Sequence, residues 1–536
     1  MADSPQFEGF TATPAQLEMV RAAESTRVDL VRQLAPTVVC IFPPGNRNGG
    51  GSGVLIDAEG HGLTNYHVIA SLGEPRRGEG GCSDGVAYPL EVLGFDPAGD
   101  IAMFRLTSAS SLPFAPLGDS AAVRLGDESL AMGNPFLLAE DFQPTVTFGI
   151  ISGLHRYLAG QDRSLFYTDC LEINTSINPG NSGGPLFDMG GRLIGINGRI
   201  GIEERGRVNV GVGYAVSMRQ IRRFIPALRA GLVTPHATLG ATVMDAALHR
   251  VAVEQILESS DAWRAGLREG DRLNSLDGVA LRSANQLASL VAAYPAYWPV
   301  TVEIERGAEK RTLHFQLDDL PLPRAPRMPR DIPEQMQKKM IKPLSGINWD
   351  ANALETRRTF DRWLAAVGGR EAAASIGGWK RFARRAAPAA PGDRAEAAAI
   401  ESAETAPPPG WDRDARGLDD DALEAAVRLS LLNPPAEPRR AEWQVLRGDE
   451  VGGRLAIVLS RVVQPRRDVE VTFDFESGEL LRIAFQSAGE GGPRRYEYGD
   501  VRAAGALRLP HRRVCFVDHA LKHEERIERY ELRTRD

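Results

Sequence analysis

Cysteine is scarce in this chain. There are four in 536 residues, far apart at Cys40, Cys82, Cys170 and Cys515, so neither a disulfide framework nor metal-ligand spacing can be read from them. Cys40 and Cys170 sit in apolar runs and read as buried free thiols. Long apolar runs are missing too, and none would cross a bilayer. Met1 to Phe10 is polar and contains proline, with no basic stretch leading into an apolar one, so no export signal is legible. Two alternatives follow, a cytoplasmic protein or a chain whose signal has been removed. Nor does one sign of charge dominate. The 63 basic and 70 acidic residues leave a net charge of −7, and no Lys/Arg block stands out, which argues against nucleic-acid binding. What remains is 43% hydrophobic and 25% charged, the composition of a soluble globular protein, and the length predicts roughly three or four domains.

Against that background one stretch carries chemistry: Gly180-Asn181-Ser182-Gly183-Gly184-Pro185. Acyl transfer needs a hydroxyl beside backbone N–H groups that converge on the developing oxyanion, and flanking glycines permit the tight turn. A general base is needed upstream. His67, in Gly62-Leu63-Thr64-Asn65-Tyr66-His67-Val68, follows the strand-like Gly53-Val54-Leu55-Ile56 and sits where a buried strand gives way to a turn. An acid must then orient the imidazole through its other nitrogen. Asp100 opens the apolar run Ile101-Ala102-Met103-Phe104-Arg105-Leu106, which reads as a buried strand. Asp96, in Phe95-Asp96-Pro97-Ala98-Gly99, has ordinary turn chemistry, so Asp100 takes the role.

The order His67, Asp100, Ser182 is the chymotrypsin order, and at this point the chain resembles the HtrA/Deg serine proteases. The resemblance is carried by Gly51-Ser52-Gly53-Val54-Leu55-Ile56-Asp57, Leu63-Thr64-Asn65-Tyr66-His67-Val68, Asp100-Ile101-Ala102, Gly133-Asn134-Pro135-Phe136 and Thr145-Val146-Thr147-Phe148-Gly149-Ile150-Ile151-Ser152. Ile177 to Leu186 matches the nucleophile loop almost word for word. Together these span roughly the first three fifths of the chain. Tyr66 stands where the family more often has a small or polar residue, and Leu137-Leu138 replaces its usual glycine-bearing turn. The resemblance implies a nucleophile Ser182, a general base His67, an orienting Asp100, and an oxyanion hole from the N–H groups of Gly180 and Ser182 with Asn181. An aspartate at 181 would be needed to pair with a freed N-terminus, so the amide argues against activation by chain cleavage. Ser176, six before the nucleophile, would form the pocket base, with Ile196, Asn197 and Gly198 as its wall. No carboxylate there awaits lysine or arginine, and small or medium apolar side chains are the expected preference.

Organisation follows composition. Residues 1–34 read as a helical segment from Pro14, and Phe7 and Phe10 ahead of it match aromatic positions that help assemble trimers in HtrA relatives. Ala35 to Phe42 reads as a first strand, and 35–232 as a trypsin-like domain of two six-stranded barrels closed by a helix from Met218 to Ala230. Residues 236–319 resemble the family's PDZ domain through Ala265-Gly266-Leu267 and Gly270-Asp271. Thr238, Leu239, Gly240 and Ala241 would be its carboxylate loop, receiving a C-terminal peptide as an added strand. A proline-rich linker fills 320–345. The last part, 346–536, reads as α+β, with a helix over 360–372, strands over 453–459, 469–475 and 479–485, and a disordered insert near 387–409. Its sheet weakly resembles the curved antiparallel sheets of LolA-like lipoprotein-carrier domains. His519 and His523 lie one helical turn apart, which suits a solvated face better than a metal site.

The fold expected is therefore multidomain: an all-β double barrel of chymotrypsin type, a PDZ-like domain and a C-terminal α+β domain. The function expected is an endopeptidase for unfolded or misfolded proteins, without metal or cofactor, with a homotrimer implied by resemblance. The rival is a non-catalytic peptide- or lipoprotein-binding envelope protein using the PDZ-like and C-terminal parts. The family resemblance favours periplasm or envelope, whereas the N-terminus shows no signal.

Overall fold

The computed structural model describes residues 13–45, 50–72, 76–107, 111–134, 141–159, 166–177, 180–200, 211–247, 250–320, 346–386, 397–405, 419–432, 434, 443–463, 467–486, 492–517 and 520–534. Phe7, Phe10, Leu137, Leu138, His519 and nearly all of the proline-rich linker lie outside the described residues.

Helix α1 (Pro14–Leu34) starts at a capping box in which Thr13 and Gln16 satisfy each other's backbone N–H groups. The first strand begins later than expected: Ala35–Thr37 forms a 3-10 turn, since Pro36 cannot donate to a ladder. Six strands then close into a barrel: β1 (Val38–Phe42), β2 (Gly51–Leu55), β3 (His61–Thr64), β4 (Arg77–Cys82), β5 (Ala87–Asp96) and β6 (Ile101–Leu106). A short helix, α2 (Tyr66–Ala70), follows β3. The second closed barrel comprises β7 (Glu128–Gly133), β8 (Thr145–Ala159), β9 (Phe166–Ile173), β10 (Pro185–Asp188), β11 (Leu193–Ile200) and β12 (Gly213–Ser217). Closure leaves no free edge in either barrel. The double six-stranded barrel expected from the sequence is present, closed by α3 (Met218–Arg229).

A second core lies beyond it. After β13 (Ala237–Thr238), a five-stranded antiparallel sheet runs β14-β15-β16-β18-β19, from β14 (Ala241–Ala247), β15 (Arg250–Ile256), β16 (Arg272–Leu276), β18 (Pro299–Arg306) and β19 (Glu309–Gln316). β17 (Val279–Ala280) pairs with β16, and β20 (Asp318–Asp319) pairs with β13. Helices α4 (Asp261–Arg264) and α5 (Ala284–Ala292) accompany this sheet.

The C-terminal part is a nine-stranded antiparallel sheet with helices Trp349–Val367 and Asp420–Ser430 packed on it. Four readings need correction here. The first helix starts at Trp349, capped by the Asn348 side chain, rather than near 360, and it stops at Gly368 and Gly369. Part of the insert expected to be disordered is a strand. Ala397–Thr405 pairs along the whole of Gly378–Ala386, because a long neighbouring strand offers its backbone a ladder that composition does not reveal. His523 sits on the strand Ala520–Thr534, not on a helix. It is also buried rather than solvated, beside Glu525.

This sheet does not hang free of the barrels. Arg76 of the first barrel donates to the Gly346 carbonyl at 2.7 Å, and Arg358 pairs with Glu59. The Asn348 N–H donates to the Gly231 carbonyl, and its side chain donates to that of Val92. One hydrophobic core runs from Val38 and Met132 through Phe224 and Leu228 to Phe360 and Phe473. Among the described residues no helix is long and apolar enough to cross a membrane.

Candidate active site

The first barrel supplies two of the three expected side chains. β3 ends at Thr64, Asn65 caps α2, and His67 stands in the first turn of that helix. Asp100 ends the turn between β5 and β6 and adopts a left-handed φ of 56°, a conformation that aspartate tolerates better than most residues. The chain around it holds that conformation. Its carbonyl accepts the Asn65 side chain at 2.9 Å and the Tyr66 N–H at 3.1 Å. Its carboxylate accepts the His67 backbone N–H at 2.9 Å and faces His67 Nδ1 at 2.8 and 3.0 Å. A carboxylate there fixes the tautomer, with the proton on Nδ1 and the lone pair of Nε2 outward. The Asp100 side chain is 1% exposed and that of His67 46%, so the acid is sealed while the base is reachable.

Tyr66, the departure noted in the sequence, stacks on Phe95 with ring centroids 5.2 Å apart. Burial, and then the Asp100 charge, raises its phenol above the ordinary range.

Ser182 comes from the second barrel, in the turn before β10. Its Oγ donates to the Gly198 carbonyl at 3.3 Å, and among the described residues no hydrogen bond joins it to His67. The pair His67–Asp100 is thus assembled, while the serine proton points to β11. Gly180 and Gly183 both have positive φ. At Gly183 a side chain is excluded outright, because a Cβ would lie 2.2 Å from both the Ser52 carbonyl and Thr64 Oγ1. Around them the loop is tied down. Gly183 N–H donates to Asn197 and Gly184 N–H to Asn181. The N–H groups of Gly180 and Ser182, by contrast, find no acceptor among the described residues.

The sequence reading missed Ser52. This buried β2 residue donates its N–H to the Ser182 carbonyl at 2.9 Å and its Oγ to the Gly180 carbonyl at 2.6 Å. The same Oγ accepts the Asn134 N–H at 2.9 Å. One hydroxyl of the first barrel therefore clasps the Ser182 loop of the second. Its only sequence signal was a polar residue between two glycines at the start of a strand.

The remaining expected residues are distributed unevenly. Ser176 is exposed and its carbonyl accepts Thr147 Oγ1. Ile196 lies in the hydrophobic core, and Asn197 is fully buried with its amide donating to the Pro185 carbonyl. Of the expected pocket wall, it is Gly198 that meets Ser182. Asn181 is fully buried, and neither polar atom of its side chain has a hydrogen-bond partner among the described residues. In the middle module, Thr238 pairs with Asp318 in the small β13–β20 sheet, Leu239 enters the core, the Gly240 carbonyl accepts the Leu257 N–H, and Ala241 begins β14.

A trypsin-like peptidase domain model matches residues 51–196. Protease Do-like 1, chloroplastic, of Arabidopsis thaliana is 30% identical over 354 residues, covering 60% of this chain and 78% of that protein. HhoA of Synechocystis sp. is 32% identical over 300 residues, covering 52% and 73%. This chain belongs to the HtrA/DegP-type serine proteases. The periplasmic serine endoprotease DegP of Salmonella typhimurium is 33% identical over 281 residues, 50% of this chain and 56% of DegP. The chain thus spans a little over half the length of the DegP relatives it matches. Within this HtrA/DegP-type chain, the matched peptidase region runs from β2 to β11 and contains His67, Asp100 and Ser182.

Proposed function

We propose that this chain is a serine endopeptidase that cleaves unfolded proteins by acyl transfer at Ser182. The observation that carries the reading is the sealed Asp100 carboxylate holding His67 Nδ1 at 2.8 Å, beside a serine loop whose Gly180 and Ser182 N–H groups have no acceptor among the described residues. In the first step Ser182 Oγ turns from Gly198 toward His67 Nε2, which takes its proton as Oγ attacks the scissile carbonyl. Apo enzymes often hold such contacts open until substrate arrives. The free N–H groups receive the oxyanion, each worth about 2.7–4 kcal/mol of transition-state stabilisation. The imidazolium then protonates the leaving amine, and water repeats the sequence to release the acyl group.

The segment 236–319 acts in this reading as a PDZ-like module that binds C-terminal peptides along β14, with Thr238 to Ala241 as the carboxylate loop. Ser176, Asn197 and Gly198 frame the primary pocket, and trimer formation is the assembly the family suggests. The name of the Salmonella relative supports a periplasmic or envelope setting. Between the C-terminal sheet and its long helix, Phe360 packs edge-on against Trp443 and Phe473, which favours a packed core over an acyl-chain cargo.

Casein degradation and fluorophosphonate labelling of the wild type beside Ser182→Ala test the reading. Both signals are expected to vanish in the variant. Labelling that persists there, or a wild type inert with and without C-terminal peptides, would overturn it.

A further inference from the structure

The turn that presents Asp100 is anchored from a distant part of the chain. Asp96 closes that turn on itself, with its Oδ1 accepting the N–H groups of Ala98 at 3.1 Å and Gly99 at 2.9 Å. Its other oxygen faces His236 Nε2 at 2.8 Å. His236 lies in the connection from α3 to the middle sheet, and its second ring nitrogen, Nδ1, meets the carbonyl of Ala292, the last residue of α5. Both side chains are sealed, His236 at 0% and Asp96 at 1% exposure.

The chemistry of the partners sets the charge. A carboxylate and a carbonyl can only accept, so both ring nitrogens must carry protons, and His236 is an imidazolium. Burial alone would lower its pKa, but the Asp96 charge and the two acceptors outweigh it and raise the pKa above the ordinary histidine value. The C-terminal end of a helix is also where a cation is favoured.

Three further contacts make this a link rather than a stray ion pair. Phe95 N–H donates to the Leu232 carbonyl, and Thr234 N–H to that of Phe95, so the connection runs bonded along the end of β5. Thr168 Oγ1, on β9, donates to Gln220 Oε1 at 2.7 Å and lies 3.3 Å from the Ala292 carbonyl. At Gly99 a Cβ would stand 2.2 Å from Asp96 Oδ2 and 2.8 Å from His236 Nε2. The Gly99 backbone is not left-handed, so it is the ion pair that requires glycine there.

We propose that His236 is a positioning residue that ties the seating of helix α5 to the placement of the catalytic acid. This rests on the Ser182–His67–Asp100 reading above. A shift of the α5 terminus removes an acceptor from a buried cation. The cation then pulls on Asp96, whose turn delivers Asp100 to His67. Because Asp100 is held in a left-handed conformation by its neighbours, a small change in that turn alters the imidazole's orientation. The middle module thereby acts on the base, through main chain and one ion pair, without touching substrate.

The test compares the full-length wild type with His236→Gln, Gly99→Ala and the double variant on a quenched-fluorescent peptide. Rates are divided by the active-site concentration titrated with a fluorophosphonate, and thermal melts are run alongside. Each single variant is expected to lower kcat per titrated site about 10- to 100-fold, the scale of a small misplacement of catalytic groups, with KM within about twofold. The low-field NMR resonance of the His67 Nδ1 proton should broaden or vanish. The double variant should be no slower than the worse single one, since both act through one contact. If His236→Gln fails to fold, Gly99→Ala, which keeps both partners of the ion pair, carries the test. A lowered melting temperature with unchanged kcat per site and an intact resonance would overturn the inference. A wild type that the fluorophosphonate does not titrate would instead remove the triad reading on which it rests.

Discussion

Two of the molecule's buried charge clusters use their charge in opposite ways. In the first barrel, Asp100 is sealed but its partner His67 is half open, and the pair ends on a lone pair that points outward. Against the C-terminal sheet the buried charges are paired with one another, and only Asp421 and Arg385 at the rim reach solvent. Arg513 donates to Glu525 at 3.1 Å and to Asp421 at 2.7 Å, Arg428 lies 3.0 Å from Glu424, and Arg381 pairs with both Glu404 and Glu525. Four arginines, with Arg385 the fourth, balance four carboxylates, and the network is closed by Tyr498 on Glu424. An open buried charge leaves a reactive group accessible; a closed one adds little net stability, yet each member becomes costly to remove alone.

Breaking the open pair should give the largest effect. Asp100→Asn keeps the shape but favours the wrong imidazole tautomer, and kcat is expected to fall about 10⁴-fold with the melting temperature nearly unchanged. Peptide turnover and differential scanning calorimetry check this. A comparable loss of stability would mean that the two clusters are of one kind.

Breaking the closed network should do the reverse. Glu525→Gln leaves Arg513, Arg381 and Arg385 short of a carboxylate, at a cost of about 3–5 kcal/mol, read by denaturant unfolding, while kcat per titrated site stays at the wild-type value. The pH dependence sharpens the contrast. Burial alone would raise the Glu525 pKa, but Arg513, Arg381 and Arg385 hold it at about 2. A carboxyl depressed in the folded state stabilises above its unfolded pKa and loses that contribution as pH falls through the folded one. His523, lowered to about 4 chiefly by burial and by Arg385, stays neutral where the unfolded chain would be protonated. Wild-type stability should therefore rise with pH from about 2 to about 6.5. The lower part of that rise should flatten in Glu525→Gln, as melting temperatures across pH would show.

The smallest expected effect belongs to Ser52, which sits between the two cases. Ser52→Ala leaves the Gly180 carbonyl and the Asn134 N–H without their shared partner, a cost of about 1–3 kcal/mol. Of that, about 1.4 kcal/mol should appear as a tenfold fall in kcat, because the clasp holds the Ser182 loop. A loss confined to stability would place Ser52 with the closed network.

The peptidase region was largely legible because its signals are local. A strand ending before His67, an aspartate at the mouth of Asp100–Leu106 and glycines around Ser182 each announce themselves within a few residues. The C-terminal region was much less so. The strand Ala397–Thr405 exists because Gly378–Ala386 lies beside it, and nothing in its alanine-rich composition says so. The helix start at Trp349 depends on one cap, and His523 is buried on a strand paired with Leu507–Val517 inside the sheet.

By itself, then, the sequence determined the kinds of groups and their local backbone: which hydroxyl, imidazole and carboxylate were available, and which turns only glycine could make. Tertiary structure alone decided the partnerships. Ser52 with Gly180, His236 with Asp96 and Arg381 with Glu525 join residues 128, 140 and 144 positions apart. The physical reason is that a buried polar group must find its partner wherever folding brings one, and chain distance carries no trace of that choice.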